Sequence, residues 1–468
     1  MKLVSVTFLV ALSGVAAAQP GAQPGAQPST QAPGAATPAT PTAPDPASPP
    51  PSAGPEVLTL DRAIEIAMKQ QPSLRQTRAQ LEAAQGRVDQ SRVATRPTVV
   101  LDATAGTGST VGGGSIGAGG SVTQASPQFF SHSESTGLGA TASWKIYDFG
   151  LTSANIHAAE LNAEAAAASV GTTTLDIRNS VELAYLEAVA RRRLVQVAET
   201  TVKSEDAHLD QAKRFVAAGA KDPIEVAQAQ SRDANARSAL AQAQSNEAIA
   251  LANLRSAIGW VEPANSPTVA ASWPAPSEAD PPGLAPLVDT ARKSRPEIVQ
   301  LDKLLEAADA SLTAAYAERR PVLAANADTQ WSPGSRNWSP QPSWSAGISL
   351  SWSLFDGGKS AADARVAHAN LLSATAQRDA LLVTLTSQLD SARSQIVANR
   401  ANVQASTEAV TAARAQLKLA EARYTQGLGS QIELADAQTA VTTAEGNLVQ
   451  AEFQLATAWA QLHRATAQ

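Results

Sequence analysis

No cysteine occurs in the 468 residues, which excludes disulfides, thiolate nucleophiles, Cys-ligated metals and lipidation of an N-terminal cysteine. Aromatic side chains are scarce, at 8 Trp, 4 Tyr and 7 Phe, and there are 2 Met; so little bulk cannot fill a thick globular core. An excess of positive charge is also missing. The 36 basic and 42 acidic side chains leave a net charge of −6, whereas nucleic-acid binders present a basic face. Beyond the first residues no apolar run approaches the ~20 residues of a transmembrane helix. What is abundant is alanine, about a fifth of the chain, so the composition describes a long helical protein with narrow packing seams.

Residues 1–18 place Lys2 before an apolar run from Leu3 to Leu12 and end on Ala16-Ala17-Ala18. That order predicts a signal peptide cleaved after Ala18 and export from the cytoplasm. Residues 19–56 are mostly Pro, Ala, Gln, Gly, Ser and Thr. Such a segment buries too little apolar surface to offset chain entropy, which predicts a disordered leader.

The remainder is one unit written twice. ASWKIYDFG at 142–150 returns as LSWSLFDGG at 350–358, a step of 208 from Trp144 to Trp352. The same step carries Asp148 to Asp356, Gly219 to Gly427 and Glu225 to Glu433, while Pro72 and Pro97 return as Pro296 and Pro321 at a step of 224. The first copy therefore has a longer loop between Pro97 and Trp144. The reading is a first repeat over 57–258, a Pro/Ala/Ser-rich connector over 259–284 and a second repeat over 285–468.

Each repeat opens with a helix, expected over 60–95 and 285–319 and stopped by Pro97 or Pro321. Two short alternating runs follow. Val99, Leu101 and Ala103 precede Leu138, Ala140, Ala142, Trp144 and Ile146 in the first repeat. Leu323, Ala325 and Ala327 precede Ala346, Ile348, Leu350, Trp352 and Leu354 in the second. Period two with one apolar face predicts strands, with polar loops between them. Proline-free stretches at about 150–217 and 358–425 then predict helices about 100 Å long. Their seam recurs every seven residues: Val181, Ala188, Val195, Val202, Leu209 and Val216, then Leu389, Ile396, Val403, Val410, Leu417 and Tyr424. A return helix repeats it with Leu434, Val441, Leu448, Leu455 and Leu462, the signature of supercoiled helices.

An isolated two-stranded hairpin is barely stable in water, and open sheet edges are not tolerated in lipid. Trp144, Trp331, Trp338, Trp344 and Trp352 lie in or between the strands, where an interfacial aromatic belt would sit. Several chains must then pool their hairpins, and three chains would close a twelve-stranded barrel.

Taken together, the duplicated helix–hairpin–long helix–return helix unit, the W-x-x-Y/F-D-x-G junction and the turns VAAGAKDPIEVAQAQ (216–230) and YTQGLGSQIELADAQ (424–438) resemble the TolC-type outer-membrane efflux channels. The resemblance covers nearly everything from Leu58 to Leu462. It implies a mainly α fold with a small β part: a homotrimer with a shared β-barrel in the outer membrane of a Gram-negative cell and a helical tunnel in the periplasm. The connector and the two chain ends would build an equatorial region. It also implies partners, namely a periplasmic adaptor and an inner-membrane pump or ABC transporter. The implied activity is passage of small toxic compounds or protein to the exterior, with no cofactor. The adaptor-contact turns would be Gly219, Ala220, Lys221 and Asp222 with Gly427, Leu428, Gly429 and Ser430. Glu433 and Asp436 would form a pore constriction, and Glu225 and Tyr424 would hold the mouth closed. Trp144, Trp331, Trp344 and Trp352 would be the membrane-interface aromatics. An arginine of the family pattern is replaced by Gly429, so its latching salt bridge is missing or taken over by Lys221.

Other features point to no chemistry. The glycine-rich 106–120 segment has no following Lys-Ser/Thr and reads as a loop between strands. His132, His157, His208, His368 and His463 are scattered singly without metal-ligand spacing. Arg191, Arg192 and Arg193 read as a solvated face. No enzyme, metal or nucleic-acid site is expected. The competing class is a trimeric coiled-coil surface or structural protein without transport activity, which the duplicated hairpins disfavour.

Overall fold

The computed structural model describes residues 57–111, 130–260, 268–270, 272–273, 280–334 and 337–467. The expected signal peptide and leader, most of the connector, and the side chains of His132 and Trp338 lie outside these residues.

Thr59 caps the first helix, its hydroxyl accepting from Arg62 N–H, and opens α1 (Leu60–Gln70) after a short strand β1 (Val57–Leu58). The single helix expected over 60–95 is in fact two. α1 stops and α2 (Pro72–Val93) begins on Pro72 at its first position. The corresponding stretch of the second half divides into α5 (Leu284–Ser294) and α6 (Pro296–Ala317). Proline excludes the α conformation from the residue before it, and Gln71 (ψ 121°) and Arg295 (ψ 121°) are both extended. Pro72 and Pro296 thus break the helix where the apolar pattern continues through.

Strands β2 (Thr98–Val111) and β3 (Phe130–Tyr147) lead to α3 (Leu151–Ala217) and α4 (Ile224–Ile258). After β4 (Thr268–Val269), α5 and α6, strands β5 (Val322–Gly334) and β6 (Asn337–Ser351) lead to α7 (Lys359–Thr425) and α8 (Gln431–Thr466). Both long helices have 67 residues, about 100 Å at 1.5 Å per residue. Among the described residues no helix is long and apolar enough to cross a membrane.

The strands outrun their apolar runs. Residues 106–111, expected in a loop, belong to β2, and β5 reaches Gly334 while β6 is described from Asn337. Backbone pairing extends these hairpins past the apolar band, so apolar alternation marks only part of each strand. In the other direction, Trp352 and Leu354, expected in a strand, lie beyond Ser351, the last residue of β6.

The heptad seam packs where it is expected for Val181, Ala188, Val195 and Leu209, and for Leu389, Ile396, Val410 and Tyr424, all buried; Val202, Val216, Val403 and Leu417 are half-buried. Two core clusters flank the proline breaks. One joins Ala63, Ala67 and Leu74 to Ile177, Val181, Ala188, Ala250 and Leu254. The other joins Leu287, Ala291 and Ile298 to Leu385, Leu389, Ile396, Ala458 and Leu462. The steps of 208 and 224 relate these residues pair by pair. Near the first cluster, β1 pairs parallel with β4 and Tyr185 O–H donates to Leu58 C=O at 3.2 Å.

At each break two helices meet end to end. Gln71 Nε2 donates to Ala257 C=O at 2.8 Å, joining the start of α2 to the end of α4. Ser294 Oγ donates to Thr466 C=O at 2.7 Å, joining the approach to α6 to the end of α8. Gly259 ends α4 at φ 77°, and a Cβ there would lie 3.2 Å from Gln71 Cα. Gly259→Ala is therefore expected to destabilise by at least the 1–2 kcal/mol (roughly) of a left-handed non-glycine residue, read as a lower melting temperature of the purified protein. An unchanged melting temperature would show that the junction tolerates the side chain.

The three arginines expected on a solvated face are all paired, Arg191 with Glu187, Arg192 with Glu247 and Arg193 with Glu452. Arg193 also lies 5.7 Å from the Trp273 ring centroid, so it fastens part of the connector to α3. Its partners lie 80 and 259 residues away in the chain, beyond the reach of any local pattern.

Candidate functional site

The four strands form one antiparallel sheet in the order β2-β3-β5-β6. Directly opposed residues share a face. The register aligns Trp144 with Ala325 and Ile348, Leu101 with Ala140, Thr329 and Trp344, and Leu138 with Ala103 and Trp331. Val99, Ala142, Ala327 and Ala346 make a further row of the same face. This face is apolar and uncovered within the chain: Ile348 is 72% exposed and Trp344 78%. The opposite face carries Thr98, Ser143, Asn326, Asp328 and Ser345, with Thr98 and Ser143 hydroxyls 2.8 Å apart and Ser345 Oγ donating to Asp328 Oδ1 at 2.5 Å. β2 and β6 are the outer strands and pair with no further strand among the described residues.

Trp144 and Trp331 lie on one face six positions apart along the β3 register, about 20 Å. Trp344 lies near Trp331, one strand over. Trp352 sits beyond its strand, yet it repeats the contact of Trp144. Trp144 Nε1 donates to Thr95 C=O at 3.0 Å, and Trp352 Nε1 to Arg319 C=O at 3.1 Å. Both indoles thus tie a strand end to the end of the preceding helix.

Each strand turns into its long helix through an aspartate and a left-handed glycine. Gly150 (φ 108°) and Gly358 (φ 90°) precede α3 and α7. Asp148 accepts from the Thr152 N–H and hydroxyl. Asp356 accepts from Gly358 N–H and Ser360 N–H, each at 2.9 Å, and the Ser360 hydroxyl and these backbone donors hold its pKa down at about 2. These hydrogen bonds meet the open N–H groups of a helix start.

At the other end of the long helices lie the two predicted turns. Gly219 (φ 66°) and Gly427 (φ 74°) end α3 and α7, with Ala220 N–H bonded to Phe215 C=O and Leu428 N–H to Arg423 C=O, both at 2.9 Å. That is the glycine-terminated helix end in which the chain reverses. Asp222 Oδ1 accepts from Ile224 N–H at 3.0 Å and Ser430 Oγ from Glu433 N–H at 3.1 Å, capping the return helices.

Between the turns the structure brings together Tyr424, Glu225 and Lys221. Tyr424 is 2% exposed, lies edge to face with Phe215 at 5.8 Å and donates its hydroxyl to Glu225 Oε2 at 3.0 Å. Lys221 Nζ is 3.4 Å from Glu225 Oε1 and 5.2 Å from the Tyr424 ring centroid, and Gln431 Nε2 donates to Glu225 C=O at 2.9 Å. Burial, then the Glu225 carboxylate, push the Tyr424 pKa up to about 12. A Cβ on Gly429 would lie 3.1 Å from Arg423 Cβ and from Tyr424 N, a tight contact with the end of α7. Lys221 is thus a cation beside Glu225.

Glu433 is half-buried and Asp436 exposed. Glu433 pairs with Arg423 at 3.4 Å, a partner the sequence reading missed although it stands one residue before Tyr424. Asp436 lines a groove with Ser406, Ala409, Thr439 and Thr443 between α7 and α8. Among the described residues no group of acidic or histidine side chains is arranged to hold a metal ion.

The chain matches a family model for outer membrane efflux proteins over residues 63–260 and 287–468. Protein CyaE of Bordetella pertussis is 30% identical over 279 residues, covering 57% of this chain and 53% of CyaE, so the chain spans about half the length of that curated relative. Nodulation protein T of Rhizobium leguminosarum bv. trifolii is 24% identical over 344 residues, 72% of this chain and 71% of its own. The CmeC outer membrane channel of Campylobacter jejuni shares the fold, with a TM-score of 0.73 over 87% of this chain and 85% of CmeC at 16% identity. With its two halves matched almost end to end by the family model, this chain belongs to the outer membrane efflux protein family.

Proposed function

We propose that three copies of this chain form an export duct of a Gram-negative cell, each giving four strands to a twelve-stranded outer-membrane barrel and its long helices to a periplasmic tunnel. The single observation that carries this reading is the sheet: one face mainly apolar and uncovered, the other polar, and no further strand on either side among the described residues. An apolar face of this kind belongs against lipid, a polar one around water, and edges disappear only by closure. Three copies of four strands give an even-numbered barrel wide enough to hold a water-filled interior.

The two turns form the periplasmic mouth, held shut by Tyr424, Glu225 and Lys221 and offering Gly219 to Asp222 and Gly427 to Ser430 to an adaptor, with an inner-membrane pump or ABC transporter behind it. Small toxic compounds or protein are the cargo classes. Glu433 and Asp436, three residues apart on α8, would place six carboxylates around the mouth of the trimer and favour cations.

Reconstitution of the mature protein in planar bilayers tests the reading. Cation-selective single channels are expected, with the Glu433→Ala/Asp436→Ala double variant losing most of that preference. A soluble monomer after cell fractionation would remove the channel; unchanged selectivity in the double variant would remove these carboxylates from the pore.

A further inference from the structure

The two helix junctions differ in one residue that the repeat brings into register. Gln71, before Pro72, corresponds at the step of 224 to Arg295, before Pro296. Gln71 closes its junction by donating to Ala257 C=O. No comparable bond from Arg295 spans the second junction, and the space beside it is open. A cavity of about 750 Å³ lies there, lined by Arg295 and Arg464, by Asn179 of α3, and by Ser387, Gln388 and Ser391 of α7.

Arg295 is 5% exposed. Its Nη2 reaches Glu297 Oε1 at 3.5 Å, and its Nε lies 3.4 Å from Glu297 Oε2 without hydrogen-bond geometry. Arg464 gives Nε and Nη2 to Asp176 Oδ1 at 2.9 and 2.7 Å, and Nη2 to Glu297 Oε1 at 2.6 Å. Both carboxylates therefore occupy one edge of the pair of guanidiniums. Arg295 Nε and Nη1 and Arg464 Nη1 are buried and have no hydrogen-bond partner. A buried donor left unpaired is costly, more so on a charged group. α6, with 22 residues, begins beside them, and its N-terminus adds partial positive charge.

We propose that this cavity is a binding site for a compact oxyanion, gripped by the free N–H groups of Arg295 and Arg464. Two guanidiniums beside one cavity match an acceptor with several oxygens, such as a phosphate or a carboxylate.

Calorimetric titration of the purified, detergent-solubilised full chain with inorganic phosphate at constant ionic strength, with acetate in parallel and chloride as the control salt, tests the proposal. Saturable binding is expected, and phosphate against acetate separates a tetrahedral anion from a carboxylate as the preferred form. Arg295→Gln, which installs the residue of the first junction, is expected to weaken binding by about tenfold or more. Arg295→Lys, which keeps the charge but not the fork, is expected to fall between the two and serves if the Gln variant does not fold. Absence of saturable binding by the wild type, or equal binding by all three proteins, would overturn the site and leave a water-filled cavity.

Discussion

Ile348→Arg is expected to abolish assembly of the proposed barrel, whereas Ser349→Arg, one residue along β6, is expected to leave it intact. Ile348 opposes Ala325, which in turn opposes Trp144, and lies on the apolar face between Trp344 and the strand end. A cationic side chain on the lipid face costs from about 1 kcal/mol near the interface to about 2–4 kcal/mol at mid-depth. Each assembly would carry it three times, so the trimer loses about 3–12 kcal/mol, a large part of the whole stability of many folded domains. Ser349 opposes Ala324 on the other face, where a long polar side chain meets water. The measurement is the amount of folded oligomer in the outer-membrane fraction. Equal recovery of both variants would show that the Ile348 face does not meet lipid, and with it the barrel reading would fall.

Tyr424→Ala is expected to leave the mouth permanently open and to raise single-channel conductance several-fold. The substitution removes a ring packed on Phe215 and beneath Lys221, a loss on the scale of 3–5 kcal/mol (roughly) for large aromatic truncations. It also deprives Glu225 of its hydroxyl donor. Tyr424→Phe keeps the packing and removes only the hydrogen bond, so its effect is smaller, and Lys221 still holds Glu225. The same pair fixes a pH dependence. The tyrosine pKa is raised, to about 12 from an ordinary 10, so its contribution is complete below about 10 and is lost as the pH rises through about 12. Channel opening in that window by wild type, and its absence in Tyr424→Phe, would be the signature. Conductance of Tyr424→Ala equal to wild type would separate these residues from the gate.

Much of this architecture is legible in the order of residues because each signal is local. Proline-free stretches bound α3 and α7 to within a residue or two, and glycines mark both reversals. The first helices are misread because apolar spacing runs unbroken past Pro72 and Pro296, and there the backbone restriction outweighs the side-chain pattern. Strand lengths are underestimated because Ser, Thr and Gly in the outer parts of β2 and β5 pair by backbone, without an apolar face to announce them. At the mouth, the Tyr424–Glu225 contact follows from the resemblance, and Lys221 is one of its two stated outcomes. Arg423 with Glu433, and Arg295 with Arg464, escape notice because each guanidinium meets its partner only through the packing of different helices.

The butt joints at Pro72 and Pro296 have a mechanical consequence. At that level α3 and α7 pass through as continuous spars, whereas α4 with α2, and α8 with α6, are spliced from two lengths joined by a few hydrogen bonds. Axial load from the turns to the strands is then borne by the spars. A twist applied at the turns that end α3 and α7 can be absorbed at the splices, so the strand end need not turn when the other end does.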